Sequence, residues 1–252
     1  MDMRIFARVS AHFIWLALAS LASCAAGSFS TAQAGLAAGN IEVDLEGSAN
    51  DTTSSRMVEL AFETMPQPKM GGGVRLRAMA SDDDLDRNPG DGVPGSGEAR
   101  DAEWFFHGTF ENVTGAARLP FRMGLFLRSF DLEEGATGAS LAYATYGPRI
   151  EFAPVVPLLE RDAFGLSVSG LVGFGYGVAT VEDSTISGES ETNAGFMDLG
   201  IGLRAEFSKS FLDLGYRQHA STYEQSDGAT GLSVGEVDAT FSGLMLSAGI
   251  RF

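Results

Sequence analysis

Lysine is nearly missing from this chain: only Lys69 and Lys209 stand among its 17 basic residues. Against 33 acidic residues the formal charge is −16, which excludes a nucleic-acid-binding role, because phosphate contact needs a basic face. Cysteine occurs once, at Cys24, so no internal disulfide can form. Beyond residue 34 no apolar run approaches the roughly 18–20 residues of a membrane-spanning helix. Nor is the composition that of a disordered chain, with 44% hydrophobic and 20% charged residues.

What is present begins with a targeting segment. Arg4 and Arg8 form a basic stretch, and Phe13 to Ala26 is an apolar run of 14 residues. Ala32-Gln33-Ala34 then matches an Ala-x-Ala cleavage site, so residues 1–34 are expected to be a cleaved signal peptide and 35–252 the mature domain. A second reading is open: Leu21-Ala22-Ser23-Cys24 fits a bacterial lipobox, which would make a lipidated Cys24 the new N-terminus.

The mature chain alternates apolar and polar residues over segments of about ten, the period of a strand with two unlike faces. Leu244, Leu246, Ala248, Ile250 and Phe252 share a face, and Phe252 is the last residue given. Leu212, Leu214 and Tyr216 alternate against Asp213 and Arg217. Met197 to Phe207 alternates against Asp198, Arg204 and Glu206, and Phe164 to Val178 against serines and glycines. Leu119 to Leu127 alternates against Arg122, with Arg128 in the same phase. Leu141 to Phe152 changes phase near Gly147-Pro148, which predicts a bulge, since proline cannot donate to a ladder.

Toward the N-terminus, Trp104, Phe106 and Phe110 alternate, with Trp104, Phe105 and Phe106 read as an interfacial girdle. Val74, Leu76 and Ala78 oppose Arg75 and Arg77, and Val58, Leu60 and Phe62 oppose Glu59 and Glu63. Ile41, Val43 and Leu45 are expected to face out against inward Glu42, Asp44 and Glu46. The expected fold is all-β: an antiparallel transmembrane β-barrel of ten strands, or of eight with residues 35–56 as a tail. Short links (Met65–Met70, Val113–Ala116, Val156–Ala163, Ser208–Ser210) alternate with long polar ones (Ser81–Ala102, Asp131–Gly138, Glu182–Asn193, Glu224–Asp238), as periplasmic turns and surface loops do. The long links hold 18 acidic residues and two basic ones, Arg87 and Arg100.

The inward positions form a charge ladder: Glu59, Glu63, Arg75, Arg77, Arg122, Arg128, Arg149, Glu151, Asp198, Arg204, Glu206, Asp213, Arg217 and Arg251. Burying single charges is prohibitive, so these must pair. Glycines at 173–177, 200, 202 and 215 leave room for long side chains, and the expected lumen is narrow and filled with salt bridges.

The chain resembles the broad group of small bacterial outer-membrane barrels, the OmpA-, OmpX- and OmpW-like proteins. The resemblance rests on the alternation and on the terminal face Leu246, Ala248, Ile250, Phe252, which matches the assembly signal of that group. It implies a non-enzymatic outer-membrane protein serving envelope structure, surface binding or small-solute passage. Its partners would be outer-membrane lipid, lipopolysaccharide and the barrel assembly machinery.

Three local patterns suggest chemistry. His219-Ala220-Ser221, on the penultimate strand, resembles the His-x-Ser motif of lipid A 3-O-deacylases. That resemblance would make Ser221 a nucleophile, His219 its base and Glu224 or Glu236 the orienting acid, in a lipid A-modifying hydrolase. The family usually has Asn after the serine, where this chain has Thr222. Asp82, Asp83, Asp84, Asp86, Asn88 and Asp91 resemble a calcium loop, with Pro89 where an EF-hand has glycine; otherwise no cofactor is expected. A ten-stranded outer-membrane protease would need an Asp–His pair, and His107 lacks an Asp two residues before it.

Overall fold

The computed structural model describes residues 29–45, 51–67, 70–81, 96–110, 117–133, 140–184, 189–227 and 233–252. Their strands are β1 (Phe29–Leu45), β2 (Asp51–Gln67), β3 (Met70–Ser81), β4 (Ser96–Phe110), β5 (Leu119–Glu133), β6 (Ser140–Phe152), β7 (Val155–Arg161), β8 (Phe164–Asp183), β9 (Glu189–Phe207), β10 (Ser210–Tyr223), β11 (Ser226–Asp227), β12 (Ser233–Val234) and β13 (Val237–Arg251).

Each barrel strand pairs antiparallel with its sequence neighbours, and β1 pairs with β13 to close the cylinder. β6 and β7 run along β8 in turn, Leu141–Phe152 opposite Val172–Asp183 and Val155–Arg161 opposite Phe164–Ser169. Together they act as one wall element, and the result is a closed ten-stranded antiparallel barrel. β11 and β12 form a small hairpin between β10 and β13. Of the two strand counts open in the sequence, ten is the one realised, because residues 35–45 form most of β1 and residues 51–56 the start of β2 rather than a tail. No helix among the described residues is long and apolar enough to cross a membrane.

The two rims differ. At the lower rim lie the start of β1 and the end of β13; at the upper rim lie the end of β1, the start of β13 and the β11–β12 pair. On the lower half the outward side chains are large, apolar and uncovered: Leu36 is 64% exposed, Phe106 72%, Leu125 63%, Ile201 65% and Leu244 64%. A continuous belt of this kind matches the lipid-facing band of an outer-membrane-type barrel. On the upper half the outward positions turn polar, with Glu42, Thr52, Arg56, Glu98, Arg100, Glu133, Glu191 and Asn193 exposed.

The inside inverts in step. Behind the polar upper wall the inward residues are apolar: Ile41, Val43, Phe130, Leu132, Tyr143, Val181, Tyr223, Val237 and Phe241 are buried to 3% exposure or less. Tyr223 stacks on Phe130 at 5.7 Å between centroids and lies 4.2 Å from Tyr143, while Phe126 and Phe196 meet edge-on at 4.8 Å. The upper half is thus built like a soluble barrel, core inside and polar outside, and its core plugs the lumen.

This inversion corrects three sequence-based expectations. Ile41 and Val43 point inward and Glu42 outward, the reverse of the expected phase of β1, because β1 crosses the upper half there. Leu141, Tyr143, Thr145, Arg149 and Glu151 all point inward, so β6 keeps one phase and one register through Gly147-Pro148, with Tyr146 opposite Val178 and Arg149 opposite Gly175. The register shift lies further on, between Pro157 and Leu159 of β7. Phe105 faces the lumen rather than the girdle, 3% exposed, while its neighbours Trp104 and Phe106 face out.

Candidate functional site

Beneath the plug the strands point eight arginines inward (Arg75, Arg77, Arg122, Arg128, Arg149, Arg204, Arg217, Arg251) and eight carboxylates (Glu59, Glu63, Asp101, Glu103, Glu151, Asp198, Glu206, Asp213). β3 supplies two arginines at i and i+2, and β4 supplies two acids in direct register with them: Arg75 lies opposite Glu103 and Arg77 opposite Asp101. β2 sets Glu59 opposite Arg77 from the other side. Across the lumen, β6 brings Arg149 and Glu151, β9 brings Asp198 and β10 brings His219.

The network has three acidic hubs. Glu151, 1% exposed, accepts a two-pronged bond from Arg75 (2.7 and 2.8 Å), a bond from Arg122 (2.5 Å) and one from Arg149 (3.4 Å). Glu103 lies 3.5–3.6 Å from Arg75, Arg77 and Arg149. Asp198 accepts from Arg149 and His219 and lies 3.5 Å from Arg77. Planar guanidinium forks suit such sharing, since each offers five donors and stays charged.

His219 links the Asp198 hub to Arg128. Its Nε2 is held by Arg128 Nη1, and arginine can only donate, so Nε2 is the acceptor nitrogen. The ring proton therefore sits on Nδ1 and is donated to Asp198 Oδ1. Arg128 also covers the Phe196 ring at 5.0 Å, which joins the ionic layer to the aromatic plug above it.

Below the hubs the lumen opens. A cavity of about 250 Å³ is lined by Arg75, Arg122, Arg204, Arg217, Gly200, Gly202 and Gly215 among others. Exposure grows toward the lower rim: the Arg75 side chain is 5% exposed, Arg122 24%, Arg204 28% and Arg251 42%. Pairs persist to the edge, with Arg122 on Glu63 (2.5 Å), Arg204 forked on Asp213 (2.7 and 2.8 Å) and Arg251 on Glu206 (2.5 Å).

The expected inward charges from Glu59 to Arg251 face this interior, whereas Glu42 and Asp44 face outward, Glu46 lies outside the described residues, and Asp101 and Glu103 were not among those expected. The sequence places them in or beside a long link ending at Ala102, whereas β4 begins at Ser96. The outward partners Glu98 and Arg100 belong to the polar upper wall and give no apolar alternation to read.

The His-x-Ser constellation is not assembled. His219 and Ser221 share the inward face two residues apart, about 7 Å along the strand. Ser221, 2% exposed, donates to the Ala239 carbonyl at 3.2 Å, and both ring nitrogens of His219 are engaged elsewhere. Glu236 is exposed on the upper link, and Glu224 accepts from Asn193 at 3.0 Å. The plug above and the ionic hubs below bar an acyl chain from Ser221. Residues Asp82, Asp84, Asp86, Asn88 and Asp91 lie outside the described residues, and among the described residues no cluster of His, Cys, Asp or Glu is arranged to hold a metal ion. Leu246, Ala248, Ile250 and Phe252 form the outward lower face of the last strand, Phe252 being 74% exposed.

No protein-family model and no curated protein sequence matches the chain. Solved structures do. The chain is similar to the outer membrane protease OmpT from Escherichia coli, with 11% identity, a TM-score of 0.51, and 89% of this chain and 98% of that chain covered. It also matches Ail, the attachment invasion locus protein of Yersinia pestis (14% identity, TM-score 0.31, 89% and 100% covered). A third match is the translocator domain of the autotransporter NalP from Neisseria meningitidis (7% identity, TM-score 0.37, 100% of both chains covered). At such identities the likeness is one of fold, and it rests on the first of these: the chain has the closed antiparallel barrel fold of outer-membrane proteins.

Proposed function

We propose that this protein is a closed outer-membrane barrel that anchors and displays its upper rim, rather than a channel or an envelope enzyme. The observation that carries this reading is the double inversion: an apolar belt outside with ions inside below, a polar wall outside with an aromatic plug inside above. The belt matches a bilayer, and the upper half projects from it as a self-contained soluble barrel. A solute would have to displace both Tyr143–Tyr223–Phe130 packing and the Glu151, Glu103 and Asp198 hubs to pass. The outward face Leu246, Ala248, Ile250 and Phe252 is the segment the assembly machinery would read, and lipid would contact the belt.

The test is conductance in planar bilayers. Purified, folded protein should raise membrane conductance no more than detergent alone. Discrete ion-conducting steps scaling with protein would show that the lumen is open.

A further inference from the structure

We infer that the lower cavity is a binding site for a small oxyanion, a carboxylate or phosphate group, with Arg217 as its principal ligand. Nearly all of the interior charge is committed to ion pairs. Seven of the eight inward arginines have a carboxylate within 4 Å, and each of the eight inward carboxylates is engaged by one of those seven. Arg217 has none among the described residues. Glu59 is the carboxylate whose charge it feels most, but Glu59 Oε2 sits 3.3 Å from Arg77 Nε.

The sequence builds space beside this free fork. Arg217 pairs with Gly200 on β9 and Gly243 on β13, and its guanidinium lies over Gly200, where an added Cβ would come 2.8 Å from Arg217 Cδ and 3.2 Å from Nη1. Gly202 and Gly215 face each other in the next inward layer and leave the wall bare below it. Gly200, Gly202 and Gly215 all line the void of about 250 Å³. It is below the roughly 300–1,000 Å³ of a drug-sized site, which limits the ligand to a small molecule or a single charged group. A half-buried guanidinium with uncommitted donors recognises planar or tetrahedral oxyanions through paired bonds. The cavity opens at the lower rim, where Arg251 is 42% exposed, so the ligand enters from the end of the barrel that carries the start of β1 and the end of β13.

The experiment uses folded barrel in detergent at low salt, titrated calorimetrically with inorganic phosphate and, separately, with succinate. We expect saturable binding at one site per barrel for at least one of them. Arg217→Gln should weaken it ~10- to 100-fold, the range for loss of a charge-assisted bond, and Arg217→Lys less. Ser169→Phe, which narrows the cavity from β8 while sparing every arginine, should weaken it too and serves if Arg217→Gln does not fold. Phosphate against succinate tells which anion class fits. Absence of saturable binding by both anions, or binding equal to wild type in the folded Arg217 and Ser169 variants, would overturn the assignment.

Discussion

A carboxylate that holds three arginines is worth more than its pairwise contacts suggest. Removing the Glu151 charge takes the shortest buried carboxylate contact from Arg75 and one contact each from Arg122 and Arg149, and breaking a buried pair typically costs about 3–5 kcal/mol. Glu151→Gln should therefore lower the unfolding free energy by about that amount in a denaturant titration of the barrel in lipid. Glu98→Gln, which removes an exposed 2.6 Å pair with Arg100, should cost about 0–1 kcal/mol. A similar loss in both variants would mean that the interior is hydrated and its pairs are screened. Asp131 makes the opposite case. It faces outward above the apolar belt, directly across from Glu98. Partial burial, with Glu98 and Glu182 reinforcing it and Arg100 opposing, pushes its carboxyl up to about 6. The unfolded value is near 3.8, so between about 4 and 6 the folded state holds the extra proton and stability falls as pH rises. Asp131→Asn should stabilise the barrel at pH 8, leave it unchanged at pH 4, and flatten the profile between; an unaltered profile would place the titration elsewhere.

Among the elements, strands were legible wherever their outward face lies in the belt. β2, β5, β8, β9, β10 and β13 have apolar residues at successive outward positions of their lower halves, and their phase follows directly. β1, β4 and β6 were harder, because hydrophobic alternation reports one face only if one side is always the greasy one. Ile41 and Val43 alternate as cleanly as Leu244 and Leu246 yet point the other way, and nothing local distinguishes a core from a bilayer. Asp101 and Glu103 were lost for the same reason. The N-terminal boundary is an element-scale matter as well. Phe29–Ala34, expected in the leader, lies within β1: Ala32 pairs with Phe62 and Ile250, and Gln33 Nε2 donates to Ser247 Oγ at 2.9 Å. Cutting after Ala34 would leave backbone groups of β2 and β13 unpaired in the belt, each a loss of several kcal/mol in hydrocarbon. N-terminal sequencing of the mature protein should find a start at or before Phe29; a start at Gly35 would refute that placement. The β1–β13 seam also depends on two glycines in register, Gly39 and Gly243. A Cβ on Gly39 would meet the Ser242 carbonyl at 2.0 Å. Gly39→Val should destabilise closure by about 1–3 kcal/mol, seen as a lower temperature for loss of the detergent-resistant gel form.

At the scale of the whole molecule, the boundary between lipid-facing and solvent-facing wall is a measurable height. Cleavage of the expected leader would remove Trp15 and leave Trp104 as the single tryptophan, and Trp15→Phe gives the same background in an uncleaved chain. Trp104 points outward in the belt, and brominated acyl chains should quench its fluorescence strongly. A tryptophan introduced by Tyr143→Trp in a Trp104→Phe background lies within the plug and should escape quenching. Equal quenching at the two positions would rule out the inverted upper half.

One consequence follows from the even match of arginines and carboxylates beneath the plug. If the interior sums to nothing, the surplus acid of the chain is borne by its outward upper residues, such as Glu42, Asp44, Glu133 and Glu191, and by the links between strands. The exposed upper wall is then the acidic surface of the described barrel, above an interior whose charges cancel. Cationic molecules would be drawn to that wall at rates that fall steeply as salt is added.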